Sequence, residues 1–227
     1  AAREALHVAA YAHLIETLGM PESTYSEFLE YQTMVEKHEY FMELSGQNGT
    51  AESVATNIAA FSAFTEGMQL FSSFIMLLNF PRHGKMKGMG QIVTWSARDE
   101  TLHTNSIIKL FHTFLNENPD IKREQLTEDL YKACSTVIEH EDAFIDKAFE
   151  LGGVEGLEAK SVKEYIRYIA DNRLKQLEMK PLYNIVKNPL PYMDDMLNAL
   201  EHTNFFENRA TEYSRAATQG SWEEAFI

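Results

Sequence analysis

The sequence predicts an all-α protein built as a helical bundle. Apolar residues recur at spacings of three and four along most of the chain, and no segment shows the period-two alternation of a half-buried strand. Only six prolines and eleven glycines occur in 227 residues, which leaves room for long helices and disfavours a β-rich fold with many turns. Internal repeats and linker-like stretches are not visible, so we predict a single domain over residues 1–227.

Each predicted helix is an apolar stripe bounded by capping or breaking residues. The first ends before Pro21, and Ser23 or Thr24 can cap the second. A very apolar third helix is expected to stop before Pro81. The helices are predicted at residues 1–18, 23–44, 51–79, 89–116, 123–151 and 161–177, with a short last helix after the prolines of residues 188–191.

Charge and cysteine content exclude several classes of function. The formal net charge is −14, and an acidic surface repels phosphate backbones and anionic lipid, so we expect no nucleic-acid and no membrane partner. Cys134 is the only cysteine, which excludes a disulfide framework and makes a reducing cytoplasm the simplest compartment. The apolar run from Ile58 to Phe80 is interrupted by Glu66 and Gln69, which fits a buried core helix better than a bilayer span.

Two Glu-x-x-His pairs are the first candidates for chemistry. Glu4 and His7 form one pair in the first predicted helix, and Glu100 and His103 form the other in the helix at 89–116. Residues three apart on a helix project from the same face, so the members of a pair can ligate one metal ion together. Such a short motif also arises by chance, so the two pairs alone are weak evidence.

Glu66 strengthens the case for a metal site. It lies in the middle of a helix that is apolar on nearly every side, where an ionised carboxylate is destabilised unless a cation or a hydrogen-bond partner meets it. A protonated glutamate, or one bonded to a core polar group, is the alternative. Dinuclear carboxylate bundles use a glutamate from each of two helices and a Glu-x-x-His motif from each of two others. One lone carboxylate is thus supplied, and we expect the second on a helix upstream of Ala1.

Tyr11 is the candidate redox-active side chain. It lies seven residues after Glu4 and four after His7, so it shares their helix face. A tyrosine at such a position is usually a core-packing residue. Beside an oxygen-activating dinuclear site, however, a buried phenol is an oxidisable group within reach of the metal.

These residues in this order resemble the small subunit of class I ribonucleotide reductase, which belongs to the ferritin-like superfamily. The resemblance runs through essentially the whole chain and implies a ferritin-like bundle with additional helices. It is carried by Glu4-x-x-His7-x-x-x-Tyr11, Glu66 in its apolar helix, Gly88-Met-Gly-Gln91, Arg98-Asp99-Glu100-x-x-His103, and His202-Thr-Asn-Phe-Phe-Glu-Asn-Arg-Ala-Thr-Glu-Tyr213. The family's first carboxylate ligand, its upstream tryptophan and its C-terminal docking tail are not matched within residues 1–227.

The resemblance also implies roles for individual residues. Tyr11 matches the tyrosine that becomes the stable radical. Asp99 matches the aspartate that hydrogen-bonds a metal-bound histidine, here His7, and that belongs to the radical-transfer route. Leu70 and Phe74 would line the apolar pocket that shields the radical. The residues that match the family's metal ligands are Glu4, His7, Glu66, Glu100 and His103.

The implied function is to store and deliver an oxidising equivalent. A dinuclear iron centre, or a dimanganese or mixed manganese–iron centre, would use oxygen or a reduced oxygen species to oxidise Tyr11. The radical would then pass to a large catalytic subunit that reduces ribonucleotides. The resemblance further implies a homodimer and, for manganese, a flavodoxin-like activase. Two alternatives are a dinuclear oxidase or hydroxylase acting on an organic substrate and a ferritin-like iron-binding protein; Tyr11 and the C-terminal motif disfavour the first, and the later helices disfavour the second.

Other chemically suggestive residues receive structural interpretations. The run Glu139-His-Glu-Asp142 is predicted to be a solvated acidic surface, because adjacent residues point to different faces of a helix. His83 is predicted to be exposed in a loop, and Cys134 to be a small buried side chain. Packing, capping or filling roles are predicted for His112, His202, Met76, Met86 and Met89.

Overall fold

A computed structural model describes residues 2–27, 30–46, 49–150 and 152–198. None of these residues belongs to a β-strand, which confirms the predicted all-α class. The C-terminal motif at 202–213, with His202, lies outside the described residues. The elements are α1 (Ala2–Thr17), α2 (Thr24–Glu27), α3 (Gln32–Gly46), α4 (Ala51–Ala59), a π segment (Ala60–Gln69), α5 (Phe71–Arg82), α6 (Lys87–Glu117), α7 (Arg123–Phe149), α8 (Ala159–Gln176) and α9 (Pro191–Asn198).

The core of the bundle is the apolar run formed by α4, the π segment and α5. This run packs against α6, α7 and α8, while α3 packs on α7 and both α1 and α9 pack on α6. Many of its large apolar side chains are fully buried, among them Phe64, Met68, Ile75 and Leu78. In the described part of the chain, only the helix Ala51–Arg82 is long and apolar enough to cross a membrane, and most of it is buried, as expected for a core helix.

A capping box begins this run, and a proline lies in its last turn. Thr50 and Ser53 form a capping box at the start of α4, in which each hydroxyl oxygen accepts from the other residue's main-chain N–H at 3.2 Å. At the other end α5 continues through Pro81 to Arg82, whereas the sequence predicts an end at Asn79. A proline in the last turn removes only one main-chain hydrogen bond, so the helix tolerates it there.

The second predicted helix is divided in the structure. A single helix was expected from residue 23 to residue 44, but a short α2 and a separate α3 occupy this stretch. Neither glycine nor proline occurs between Thr24 and Leu44, so the local signals that usually mark a helix end are missing from the sequence. The Tyr31 carbonyl accepts from the main-chain N–H groups of Met34 and Val35, which closes the first turn of α3.

The prediction of a solvated acidic surface at residues 139–142 is wrong. Glu141 is 0 % exposed, and its carboxylate lies 2.5 Å from the ammonium nitrogen of Lys37 on α3 and accepts from the Ser72 hydroxyl on α5. Asp142 forms an ion pair with Arg167 of α8 at 2.5 Å. The acidic run spans two faces of α7, and Glu141 falls on the face that continues the buried apolar stripe.

The other structural interpretations agree with the structure. His83 is exposed, and Cys134 is fully buried. His112 lies with its Nε2 2.8 Å from the Gln176 carbonyl, so it caps the end of α8. Met89 is buried in the core, and Met76 and Met86 pack against it.

Candidate metal centre

The two Glu-x-x-His pairs come together where α1 packs on α6. Glu4 and His7 are one turn apart on α1, and Glu100 and His103 are one turn apart on α6. Glu4 is exposed by about half, at 53 % of its side chain, whereas the Glu100 side chain is only 6 % exposed. The cluster therefore opens towards α1 and is closed on the side of α6.

Each carboxylate of the two pairs spans the gap between the two histidines. Glu100 Oε1 lies 3.3 Å from His7 Nδ1, and its Oε2 lies 3.5 Å from His103 Nδ1. Glu4 repeats the pattern, with Oε2 at 3.6 Å from His7 Nδ1 and Oε1 at 3.7 Å from His103 Nδ1. One oxygen of each carboxylate thus faces each imidazole, which is the ligand arrangement that two cations, one at each histidine, would need.

Ligand atoms of this cluster are close enough to share a cation. One ligand atom each of Glu4, Glu100 and His103 lies within 4.8 Å of the other two. Oxygen and imidazole donors of this kind suit iron and manganese. Burial raises the pKa of Glu100, and the neighbouring charge of Glu4 raises it further, because two carboxylates this close repel each other. A divalent cation between them would remove that repulsion.

Glu66 provides a direct test of whether the residues fit a metal ion. Its Oε2 is buried and has no hydrogen-bond partner among the described residues. Burial raises the pKa of Glu66, followed by the charges of Glu100 and Glu4, while His103 lowers it. Charged residues of both α1 and α6 therefore act on the carboxylate of Glu66, which lies in the π segment. A buried, unpartnered carboxylate oxygen whose pKa is shifted by the charges of such a cluster fits a cation.

Asp99 lies behind His7, on the side away from the carboxylates. His7 Nε2 is 3.4 Å from Asp99 Oδ2, whereas its Nδ1 faces Glu4 and Glu100. An acidic partner on the outer nitrogen fixes the orientation of a ligating imidazole and raises its basicity. The geometry is consistent with the role predicted for Asp99, and that role stays a prediction.

Tyr11 lies on the same face of α1, next to this cluster. Its hydroxyl donates to Ser96 Oγ on α6 at 3.1 Å. Burial raises the pKa of the Tyr11 phenol, the Ser96 hydrogen bond lowers it, and the Glu100 charge raises it. The phenol is therefore held neutral near the buried carboxylate of the cluster.

The two residues predicted to line a pocket around Tyr11, Leu70 and Phe74, differ in burial. Phe74 is buried, with 6 % of its surface exposed, whereas Leu70 is 40 % exposed in the single chain. Leu70 closes the π segment and Phe74 lies one turn further on in α5. Their role as the lining of a radical pocket stays a prediction.

Sequence reasoning did not identify three features of the site. Ser96 precedes Glu100 by one helical turn, so its place on the same face of α6 was detectable from spacing. Arg173 donates from its Nε to the carbonyl of Gly67, the residue after Glu66. It occupies the apolar face of α8 between Ala170 and Leu174, an unusual position for a charged residue that was detectable from the sequence. The π segment that carries Glu66 has no signal in the apolar pattern.

Comparison with known proteins assigns this sequence to a family. The family described as "Ribonucleotide reductase, small chain" matches residues 1–189. The "Probable ribonucleoside-diphosphate reductase small subunit 048L" of Invertebrate iridescent virus 3 is 49 % identical over 237 residues, which cover 97 % of this chain and 63 % of that protein. The "Ribonucleoside-diphosphate reductase subunit beta" of Chlamydia pneumoniae is 30 % identical over 231 residues, which cover 96 % of this chain and 66 % of that protein.

Solved structures show the same fold. The ribonucleotide reductase R2 subunit from Clostridium botulinum superposes with a TM-score of 0.77 at 24 % identity, over 86 % of this chain and 63 % of that one. This likeness confirms the predicted ferritin-like bundle. The chain spans about two thirds of the length of each of these three proteins. Because the family matches residues 1–189, which are most of this sequence, the chain belongs to the ribonucleotide reductase small chain family.

Proposed function

We propose that this chain is the radical-generating subunit of a class I ribonucleotide reductase. The observation that carries the proposal is the pair of carboxylates, Glu4 and Glu100, that each face His7 with one oxygen and His103 with the other. This geometry supports a dinuclear site, and Tyr11 lies beside the cluster with its hydroxyl hydrogen-bonded to Ser96 of α6.

The metal ligands we propose are the five predicted residues. His7 and His103 would each bind one ion, Glu4 and Glu100 would lie between the ions, and Glu66 would bind through its buried, unpartnered carboxylate. When bound, a pair of iron or manganese ions would supply the oxidising equivalent, drawn from oxygen or from a reduced oxygen species. The donor set does not discriminate between diiron, dimanganese and mixed manganese–iron centres.

Tyr11 would store that equivalent by losing one electron and its hydroxyl proton. Because burial raises the phenol pKa, the side chain stays protonated until it is oxidised. The Ser96 hydroxyl fixes the position of the phenolic oxygen before the reaction. Asp99 would fix the orientation of the His7 ring through its contact with the outer nitrogen, Nε2.

The stored equivalent would be delivered to a separate large catalytic subunit, where ribonucleotides are reduced. Asp99 belongs to the delivery route we propose, because it contacts the outer nitrogen of His7, Nε2, on the side of the ring away from Glu4 and Glu100. The partners we propose are that catalytic subunit, a second copy of this chain in a homodimer and, for a manganese centre, a flavodoxin-like activase. Names of the relatives support the first of these, since each describes a small or beta subunit.

Electron paramagnetic resonance tests the proposal. The protein, produced from its complete coding sequence, is loaded with Fe(II) under anaerobic conditions, exposed to oxygen and frozen. We expect a tyrosyl signal that disappears in Tyr11→Phe and persists in Tyr25→Phe. Tyr25 is a suitable control because it is an exposed residue of α2 whose hydroxyl donates to a main-chain carbonyl of α1, that of Ala12.

Two results would contradict the radical assignment. A tyrosyl signal that survives in Tyr11→Phe would place the radical on another residue. The second result is that two ions bind per chain but no tyrosyl signal appears, either with iron and oxygen or with manganese and a flavoprotein activator. The metal site would then stand, and the radical function would be wrong. An oxidase that acts on an organic substrate would then be the better account.

A further inference from the structure

The helix that carries Glu66 departs from regular α-helical geometry around this residue. The π segment Ala60–Gln69 interrupts the long apolar helix for ten residues. Most π-helices are single-turn bulges, and many lie at functional sites. Where the hydrogen-bond register returns from i−5 to i−4, one main-chain carbonyl is skipped and needs a donor from elsewhere. A segment of this length therefore depends on contacts from outside its own helix.

Arg173 of α8 supplies such a contact directly after Glu66. Its Nε donates to the carbonyl of Gly67 at 2.9 Å. The Arg173 side chain is buried, with 8 % of the residue exposed, so this hydrogen bond is shielded from water. The carbonyl of the residue that follows Glu66 is thus fixed by a helix that carries none of the proposed metal ligands.

The same guanidinium is connected to the helix that carries Glu100 and His103. Arg173 Nη1 donates to Gln176 Oε1 at 2.9 Å, and Gln176 Nε2 donates to Asn105 Oδ1 at 3.0 Å. Asn105 lies two residues after His103 on α6. A line of three side chains therefore spans from the π segment to the helix with the second Glu-x-x-His pair.

Gly67 is shaped to receive the guanidinium. A Cβ atom at this position would lie 2.8 Å from Arg173 Nε, 2.8 Å from the Ser62 carbonyl oxygen and 3.0 Å from Thr104 Cγ2. Every other residue type would push the arginine or the π backbone away. The hydrogen bond from Arg173 therefore requires a glycine at position 67.

Arg173 is a costly residue for this position. It interrupts the apolar stripe of α8 between Ala170 and Leu174, where a leucine or methionine would pack without any loss of hydration. Burial lowers the pKa of its guanidinium to about 10, so the group remains charged at neutral pH. A buried charge of this kind calls for a role that an apolar residue does not fulfil.

We propose that Arg173 is a positioning residue for Glu66. By holding the Gly67 carbonyl, it keeps the π segment in register and directs the Glu66 carboxylate toward Glu100 and His103. This inference rests on the proposed dinuclear site, to which it adds a residue outside the metal-binding helices.

The test compares Arg173→Met and Arg173→Lys with Arg167→Met in the protein produced from its complete coding sequence. Arg167 is a matched control, because it is an arginine of the same helix that pairs with Asp142 of α7 instead of contacting the π segment. The first readout is amide hydrogen exchange of residues 60–74 in the metal-free protein. The second is anaerobic Fe(II) titration followed by near-infrared magnetic circular dichroism, which reports the ligand field of each ferrous ion separately.

We expect faster exchange in the π segment of Arg173→Met and a changed ligand field at one of its two ferrous sites. The affinity of that site should fall by about tenfold or more, as for other residues that orient a ligand. Arg173→Lys keeps one donor and should recover part of both effects, while Arg167→Met should match the wild-type protein. An Arg173→Met protein with wild-type exchange and a wild-type two-site spectrum would overturn the proposal.

Two further measurements apply if Arg173→Met does not fold or if the wild-type protein binds no metal. If Arg173→Met does not fold, Gln176→Leu replaces it, since this variant removes the acceptor of Nη1 and leaves the guanidinium present; the same two outcomes then apply. If the wild-type protein binds no metal, the proposed function fails. The exchange measurement on the metal-free protein still shows whether Arg173 holds the π segment, so the two failures are distinguishable.

Discussion

The hydroxyl of Tyr11 donates a hydrogen bond to Ser96 Oγ across 3.1 Å, which joins α1 to α6 beside the two Glu-x-x-His pairs. Ser96 is 3 % exposed, and its own hydroxyl donates to the Ile92 carbonyl one turn earlier, so the acceptor is fixed in direction. Ser96 also lies four residues before Glu100 on the same helix. The position of the phenol is thereby set relative to a carboxylate of the proposed metal site.

Replacing Ser96 tests this relationship. Ser96→Ala leaves the Tyr11 hydroxyl without its acceptor, so we expect a loss of about 1 kcal/mol in the free energy of unfolding. We also expect a broader tyrosyl resonance that decays faster, because the phenol samples more orientations. Chemical denaturation and time-resolved EPR measure the two effects. Ser106→Ala is the control, since this exposed serine of α6 donates only to a carbonyl of its own helix; equal behaviour of the two variants would contradict the role of Ser96.

Glu66→Gln should weaken metal binding and stabilise the metal-free protein. Burial raises the pKa of Glu66, and its Oε2 has no hydrogen-bond partner among the described residues. Because the folded-state pKa exceeds the unfolded value, the contribution of Glu66 to stability falls as the pH rises from about 4.3 through the raised pKa. At neutral pH the ionised carboxylate therefore destabilises the metal-free fold, and a neutral glutamine removes that cost.

Melting temperatures between pH 4 and pH 8, with and without metal, measure this prediction. The metal-free Glu66→Gln protein should melt above the wild-type protein at pH 7, and the difference should vanish as the pH approaches 4. Its affinity for one metal ion should fall by about tenfold or more. Glu139→Gln, at an exposed position of α7, is the control. A Glu66→Gln protein that melts below the wild type at pH 7 would show that the carboxylate is satisfied without a cation.

The buried pair of Lys37 and Glu141 predicts strongly coupled substitutions. Lys37 Nζ lies 2.5 Å from the Glu141 carboxylate, and both residues are buried. Lys37→Met or Glu141→Leu alone leaves one buried charge without its partner, so each should cost about 3–5 kcal/mol. The double variant should recover most of that loss, because two apolar side chains can fill the same volume. Additive losses in a double-mutant cycle by urea denaturation would refute the coupling.

Cys134 should resist alkylation in the folded protein. The thiol is fully buried, and burial raises its pKa to about 12, with a further contribution from Asp171. The neutral thiol therefore contributes its full stability below about pH 8.5, and that contribution is lost as the pH rises towards about 12. Iodoacetamide labelling at pH 8.5 should be far slower than for the exposed variant Ser106→Cys and should rise in urea. Rapid labelling of the wild-type protein without denaturant would show that α7 opens at this position.

The helices and the two ligand pairs were predictable from the sequence because both depend on local spacing. Apolar residues at intervals of three and four define the buried faces, and Glu-x-x-His places two ligands on one face regardless of the remainder of the fold. That Glu4 and Glu100 would both face the same two histidines required the packing of α1 on α6, which the sequence pattern alone does not determine. The ligand scheme of dinuclear carboxylate bundles supplied that expectation.

Other features depend on contacts that no local pattern records. The π register around Glu66 leaves the apolar composition of its helix unchanged, so periodicity does not reveal it. Glu141 was misassigned because its charged neighbours suggested a surface, although it continues the buried stripe of Val137 and Ile138. Its partner, Lys37, comes from a helix about a hundred residues earlier in the sequence, and such long-range pairing is outside the reach of spacing arguments.

Anomalous diffraction from a crystal of the protein loaded with Fe(II) tests the central claim, the dinuclear site, most directly. At the iron absorption edge we predict two peaks per chain, about 3.5–4 Å apart. One should lie within bonding distance of His7 and the other within bonding distance of His103, with Glu4 and Glu100 contacting both. A single peak, or two peaks at which these four residues are not ligands, would contradict the account.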